Sequence, residues 1–540
     1  MKPRCGVSAE TPERRERARA RLEIFSLLHE LQSGDPGAAA AAVTLTAAAE
    51  RHGWSEVARL GLFASLLDGW TSGKGWDPDG VDELVARSSE EGDRPLTALA
   101  LSLRASLGLA AGAGREVSAD ADLARAVVLL ETETAPLYEV VLARTGCGIA
   151  FAERGMWELS DEQYAAALEL VCGNPSPTLV RLLAAVAYNR AEAQVALASM
   201  LRQLDDPSGL AGCRATFDQA VEAAAGFDLP DSWRTELASL GLLMRALCGE
   251  QCASKAQALL AEIGGAHSLF GRAGGHLRLA LALAAALAED PAAFGEAERA
   301  LAEIDPQRHP QEYELALYLA AEIESRYAPT AGWRCARYQI AERWATRVAA
   351  LGAMRALVRV ERVSEEFEQL DRDAHLDDLT GVGNRRALER YLADLAVAKV
   401  RQAAFVMVDV DHFKSVNDRF GHLVGDGTLT RVGGALQETV RAEDLVVRLG
   451  GDEFAVVLSD TDLVAASVRA RAILDRLHAE PWSELAPGLA ISVSLGVTAG
   501  DPGDVRRLRQ SADQALYEAK AAGGDRVVGQ AAAAPVASPD

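Results

Sequence analysis

Paired cysteines are missing from this 540-residue chain. Its seven cysteines, Cys5, Cys147, Cys172, Cys213, Cys248, Cys252 and Cys335, are odd in number and scattered, and none forms a Cys-x-x-Cys pair. That argues against a disulfide framework and a cysteine-ligated zinc site, and favours a reducing compartment. Positive charge is also short. The 55 Lys and Arg against 78 Asp and Glu leave a net charge of −23, with a pI near 4.9, so broad binding to nucleic acid or an anionic membrane is not expected. Long apolar runs are lacking as well. The longest, Leu279–Ala288, is far too short to span a bilayer. Arg14, Arg15, Arg17, Arg19 and Arg21 lead into an amphipathic stretch reaching Leu31 instead of an apolar signal core. The expectation is a cytoplasmic chain with no membrane and no nucleic-acid partner, long enough for about three domains.

Strand-like alternation is absent from residues 12–330, which follow an N-terminal segment, 1–11, expected to be disordered. This region is rich in Ala and Leu at helical spacing, punctuated by turns such as Ser33–Gly37, Gly173–Pro177, Asp205–Gly209 and Asp305–Pro310. Gly148, Gly155, Trp157, Ser160, Tyr164 and Ala167 stand at the spacing of the small–aromatic–small pattern of tetratricopeptide repeats. Leu210, Cys213, Phe217 and Ala220 reproduce its second half. The region therefore resembles a degenerate tetratricopeptide solenoid of about nine helix pairs, offering a concave surface to a peptide or protein partner. A generic helical bundle is the plainer alternative. Neither carries a visible catalytic constellation.

Proline is absent, and glycine limited to Gly352, from Trp333 to Asp373. Ile340, Trp344, Val348 and Leu351 make one apolar stripe, which Val360, Val363, Phe367 and Leu370 continue at spacings of three and four. Residues 331–373 thus read as a long connector helix that pairs with a second copy, or else as a final, long helix of the solenoid.

Beyond the connector the pattern changes. Residues 404–410, Ala-Phe-Val-Met-Val-Asp-Val, read as a buried central strand delivering Asp409 to a sheet edge. Residues 445–458 read as a hairpin turning at Gly450–Gly451, where two glycines permit positive φ and close approach of a ligand. The turn carries Asp452 and Glu453. If the two strands are neighbours, three carboxylates meet at one rim, a site suited to Mg²⁺ and nucleotide triphosphate chemistry.

In order along the chain stand Asp377–Thr380, Asp409–Lys414, Asn417–Asp418, Gly421–His422, Gly425–Asp426 and Gly450–Phe454. Together these resemble a GGDEF-domain diguanylate cyclase over residues 374–530, with a disordered tail at 531–540. The fold class expected is an N-terminal all-α, tetratricopeptide-like domain followed by an α/β GGDEF domain, whose five-stranded sheet is related to polymerase palms and nucleotidyl cyclases. The residue pattern agrees: strand 403–410, helices near 413–421 and 427–441, hairpin 445–458, helix 461–479, strand 489–498, helix 504–522 and strand 526–529.

The resemblance implies condensation of two GTP into cyclic di-GMP and two pyrophosphates, with two Mg²⁺ (or Mn²⁺) ions per site and a homodimer. It implies that Asp409, the Val410 carbonyl and Asp452 hold metal, with Glu453 a further metal or proton-handling carboxylate. Gly450 and Gly451 let ribose and α-phosphate lie against the turn. His412, Phe413 and Lys414 open a helix whose N–H groups suit phosphate, Asn417 and Asp426 read guanine, and Lys520 reaches the terminal phosphates. Arg441 and Asp444 form the Arg-x-x-Asp of a product-inhibition site for cyclic di-GMP, against the plain alternative of an exposed ion pair. The family's phosphate-binding arginine is missing: Gly524 stands in its place, with Arg526 two positions on. No phosphodiesterase motif of the EAL or HD type accompanies these residues. The alternative function is a catalytically weak domain that binds GTP or cyclic di-GMP as a signalling scaffold through the helical region.

Overall fold

The computed structural model describes residues 12–32, 37–72, 75, 77–110, 116–131, 137–174, 176–225, 231–263, 273–306, 310–326, 330–398, 400 and 402–530. The segments 1–11 and 531–540, expected to be disordered, lie outside the described residues. Two compact units divide the chain, Met1–Val363 and Ser364–Asp540.

The first unit is helical. It contains α1 (Pro12–Gln32), α2 (Ala38–Arg51), α3 (Ser55–Thr71), α4 (Pro78–Glu90) and α5 (Arg94–Ala110). Next come α6 (Glu116–Leu129), α7 (Leu137–Glu153), α8 (Trp157–Gly173), α9 (Pro177–Gln203) and α10 (Pro207–Ala225). The set before the long helix closes with α11 (Asp231–Leu247), α12 (Ala253–Ile263), α13 (Ala273–Leu287), α14 (Ala292–Glu303) and α15 (Pro310–Ser325). Fifteen helices among the described residues make seven pairs and one over, fewer than the nine pairs expected. Their lengths, 11 residues in α12 and 27 in α9, are too uneven to establish a tetratricopeptide period. The small residue and the aromatic of that pattern do meet all the same. Tyr164 is fully buried against Gly148, where a Cβ would meet its ring at 2.4 Å.

Helix α16 (Ala331–His375) runs 45 residues, as the lack of proline predicts, and the division between the units falls inside it. Ile340, Leu351 and Met354 are buried, whereas Val348, Val360, Val363, Phe367 and Leu370 are exposed.

The second unit is a five-stranded mixed sheet covered on both faces. Its strands are β1 (Ala403–Val410), β2 (Leu445–Gly450), β3 (Glu453–Ser459), β4 (Val493–Gly500) and β5 (Val527–Gly529), in the order β2-β3-β1-β4-β5. β1 is antiparallel to both neighbours, and β4 and β5 are parallel. The helices are α17 (Arg385–Val397), α18 (Phe413–Phe420), α19 (His422–Thr439), α20 (Leu463–His478) and α21 (Val505–Ala521). The period-two alternation of β1 sorts the core into two layers. Ala404, Val406, Val408 and Val410 share a cluster with Leu429, Leu436, Ile473 and Leu477 of α19 and α20. Ala403, Phe405 and Met407 share the other with Leu388 and Leu392 of α17 and Leu508 and Leu516 of α21.

Helix α21 reaches the sheet at Gly496, where a Cβ would stand 2.3 Å from the Ala512 carbonyl oxygen and from the Leu516 nitrogen. Backbone cannot yield as a side chain does, so Gly496→Ala must push the helix away. We expect it to destabilise this unit by about 1–3 kcal/mol, measured by thermal or denaturant unfolding. An unchanged midpoint would contradict the packing.

Candidate active site

The site is built where β1 ends. Alternation puts Asp409 on the α21 face, and there Lys520 Nζ, from the last turn of α21, lies 2.7 Å from Asp409 Oδ2. Asp409 is only 5% exposed. Burial pushes its carboxyl up; Lys520 pulls it back; Asp452 and Glu453 push it up again, and the net direction is upward. Across the ladder Asp409 faces Glu453, and the Val410 N–H donates to the Asp452 carbonyl at 3.3 Å. The expected neighbours therefore share one rim. Among the described residues, however, no three His, Cys, Asp or Glu side chains are gathered closely enough to hold an ion. Lys520 is the cation that meets Asp409 instead. The donor set, two carboxylates and a main-chain carbonyl, fits a hard divalent ion, and a buried carboxyl with a raised pKa is one that gains from such an ion.

The turn between β2 and β3 takes φ of +148° at Gly450 and +58° at Gly451. Nothing lies within 4 Å of where either Cβ would be, so the outer face of the turn is open. Arg448 fixes it. Its Nε and Nη2 donate to the Gly451 carbonyl at 3.0 and 2.8 Å, and its Nη1 donates to Asp377 Oδ1 at 3.0 Å. Asp377 in turn accepts from the Thr380 N–H at 3.0 Å and hydroxyl at 2.6 Å. Burial works to raise Asp377, but the bonds from Thr380 and Arg448 outweigh it and hold the carboxyl below its usual range.

His412, φ +52°, turns the chain from β1 into α18, a left-handed conformation costing about 1 kcal/mol or more for a non-glycine residue. Asp411 anchors that turn: it accepts from Ser494 Oγ at 2.7 Å and the Asp525 N–H at 3.0 Å, and its own N–H bonds Ser492. By position, the N–H groups of Phe413 and Lys414 have no carbonyl four residues back within the helix. Asn417 and Asp426 come from successive helices that pack together. Asn417 Oδ1 rests against Gly425, where a Cβ would approach it to 1.9 Å; Asn417 is half-buried and Asp426 exposed. Gly524, φ +73°, lies under Asp411, 3.0 Å from its carboxylate measured at an added Cβ. An arginine there would carry the strain of a positive φ and need the Asp411 carboxylate to give way by a few tenths of an ångström. Arg526 donates from Nε to the Gly524 carbonyl at 3.0 Å.

Arg441 and Asp444 line one open cleft of about 710 Å³ with Arg390 and Tyr391. Both Asp444 oxygens already serve the backbone, accepting from Arg441 N at 3.0 Å and Ser459 N at 3.1 Å. The Arg441 guanidinium is exposed, 3.7 Å from Glu443. Arg448, Asp377, Asp411 and Ser494 had no role in the sequence reading. Asp377 and Asp411 lie inside the motifs, but only partners in space reveal what the four hold.

Residues 374–526 match the family profile described as "Diguanylate cyclase, GGDEF domain". "Diguanylate cyclase DgcP" of Pseudomonas aeruginosa is 36% identical over 191 residues, which cover 31% of this chain and 28% of that protein. "Probable diguanylate cyclase DgcC" of Escherichia coli is 36% identical over 173 residues, 31% of this chain and 46% of that one. "Response regulator PleD" of Caulobacter vibrioides is 38% identical over 164 residues, 29% and 36% respectively. The chain thus spans less than half the length of these curated relatives. A solved structure of the coiled coil and GGDEF domain of DgcB from Caulobacter crescentus, in complex with c-di-GMP, is 28% identical, with a TM-score of 0.30 over 35% of this chain and 99% of that one. Among the described residues no helix is long and apolar enough to cross a membrane.

Asp377→Asn leaves Arg448 without its counter-charge and should destabilise the second unit by about 2–3 kcal/mol at neutral pH. Because the folded pKa lies below the unfolded value, this stabilisation is present above about pH 4 and is lost as pH falls through the folded pKa. Melting temperatures of wild type and variant should therefore differ at pH 7 and converge in acid. Equal melting at pH 7 would contradict the role given to this pair.

Proposed function

We propose, from the GGDEF domain that residues 374–526 form, that this chain is a diguanylate cyclase converting two GTP into cyclic di-GMP and two pyrophosphates. The observation that carries the reading is the rim: buried Asp409 at the end of β1, opposite Glu453 and beside the open Gly450–Gly451 turn. Asp409, the Val410 carbonyl and Asp452 would hold Mg²⁺ or Mn²⁺, which when bound offsets phosphate charge and lowers the pKa of the attacking hydroxyl. Each 3′-hydroxyl attacks the α-phosphate of the other nucleotide, a P–O bond forms, and pyrophosphate leaves. Glu453 stands on the same rim to take the hydroxyl proton. The N–H groups at the start of α18, set by His412, Phe413 and Lys414, bind the β- and γ-phosphates. Lys520, now on Asp409, is the side chain free to pass to the terminal phosphate once a metal neutralises that carboxylate. Asn417 and Asp426 pair with the guanine edge, whose N1–H and exocyclic amine adenine cannot supply together.

One domain binds one GTP, so bond formation needs two copies facing each other. The exposed stripe Val360, Val363, Phe367 and Leu370 on α16 is the surface that pairs them, and the helical domain regulates that pairing. Arg441 and Asp444 are the inhibitory cyclic di-GMP site, with the Arg441 fork as its main ligand. Gly524 favours the second reading, a weak or inactive domain that binds nucleotide as a scaffold. Loss of one phosphate contact raises KM without removing the metal carboxylates, so catalysis remains the first reading.

The test is direct: full-length protein, GTP and Mg²⁺, with the product identified by mass. Cyclic di-GMP is expected, and its absence at every protein concentration would favour the scaffold. Asp452→Ala should abolish product with melting unchanged or slightly raised, because like charge leaves the rim. Asn417→Ala and Asp426→Ala should each lower kcat/KM for GTP by about 5- to 150-fold, equivalent to about 1–3 kcal/mol, without making ATP a good substrate. Phe367→Glu should shift light scattering toward monomer and reduce turnover in step; an active monomer would remove α16 from this account.

A further inference from the structure

The first unit holds a hollow of about 160 Å³ lined mainly by apolar side chains. Its walls come from five helices: Phe63 and Leu67 of α3, Leu103 of α5, Leu142 of α7, Ala185 of α9 and Trp233 of α11. All but the half-buried Ala185 are buried. Ile149, 39% exposed, and the exposed Glu153 stand where the hollow opens to solvent. Protein interiors seldom leave a gap of this size, because the atoms that border it lose their contacts on one side. An apolar cavity of about 150 Å³ stays dry and takes up benzene, so this one suits an apolar body of about six carbons.

Four polar side chains share the lining, Ser106, Thr145, Glu153 and Asn189, and three of them are engaged. The Thr145 hydroxyl donates to the Val141 carbonyl at 2.7 Å, and the Ser106 hydroxyl bonds the Glu153 carboxylate. Asn189 differs. It follows Ala185 by one turn on the same face of α9 and is half-buried. Among the described residues its amide has no hydrogen-bond partner. That amide offers an acceptor oxygen and two N–H donors. Beside apolar walls, it gains from a ligand that meets both kinds of group at once. Among the described residues no Lys, Arg or His lines the hollow, and Glu153 is its one charged group. A ligand carboxylate would therefore find no cation and would face like charge.

We propose that this hollow binds a small uncharged primary carboxamide, whose aliphatic or aromatic body packs on the apolar walls and whose amide pairs with Asn189. The ligand N–H donates to Asn189 Oδ1, and the ligand carbonyl accepts from Asn189 Nδ2. Such a ligand touches α3, α5, α7, α9 and α11 together, so occupancy stabilises the first unit by mass action. The site is independent of the cyclase reading and is tested without GTP.

The probes are hexanamide and benzamide, against hexanoate and hexylammonium, titrated calorimetrically into the full chain with thermal unfolding run alongside. The amides should bind and raise the melting temperature. Hexanoate should bind at least about tenfold more weakly than hexanamide, and hexylammonium no more tightly than hexanamide. Asn189→Leu, which keeps the apolar walls, should weaken hexanamide by about tenfold or more. Ala185→Leu fills the hollow and should abolish binding of both amides, with circular dichroism reporting whether the helices persist in each variant. No binding by either amide, hexanoate binding as well as hexanamide, hexylammonium binding more tightly, or undiminished hexanamide binding in Asn189→Leu would overturn the proposal.

Discussion

A carboxylate buried at the end of a central strand costs folding free energy until a cation meets it, and Asp409 is in that position. Its place follows from the parity of β1, which sends even positions to α19 and α20 and odd ones to α17 and α21. The same parity brings Lys520 into range, because α21 lies against the sheet at Gly496 with no room for a side chain between them. Strand, glycine and helix thus cooperate to present one negative group to one mobile positive one. On the proposed reading, exchanging that lysine for a metal and a phosphate would cost the site little.

The rest of the rim is arranged around the hairpin turn. Two positive-φ glycines leave the Gly451 carbonyl directed at Arg448, and Arg448 is held by Asp377 from the loop after α16. The segment that enters the second unit therefore clamps the turn whose carboxylates the proposed chemistry would use. Behind α18, Asp411 does similar work, tying the helix start to β4 through Ser494 and to the chain before β5 through Asp525. It also crowds Gly524, where a side chain would be strained by the positive φ and would press on that carboxylate.

Much of the second unit was legible because its periods are clean. β1 begins and ends where an unbroken apolar run bounded by Asp409 predicts, and the glycine pair marks the hairpin turn. Helix α19 starts at His422 instead of 427, since Gly425 and Gly427 weaken the local helix signal while the fold needs Gly425 to admit Asn417. Strand β4 starts at Val493 instead of 489, because the Ser492 carbonyl is taken by Asp411 and not by a strand. The division between the units falls inside the 331–373 segment read as a connector and not at its end, because a 45-residue helix crosses it without a break. In the site, residue types were readable from motifs, but pairings such as Asp377 with Arg448, 71 positions apart, were not. The Lys520–Asp409 contact belongs to the same class: it exists only in three dimensions.

The central claim is that the Asp409 rim binds GTP through a divalent ion. Isothermal titration with 3′-deoxy-GTP, which lacks the attacking hydroxyl and cannot react, isolates that step. The account predicts binding in Mg²⁺, none in chelator, and none to Asp409→Asn in either. Equal affinity with and without Mg²⁺, or undiminished binding by Asp409→Asn, would contradict it.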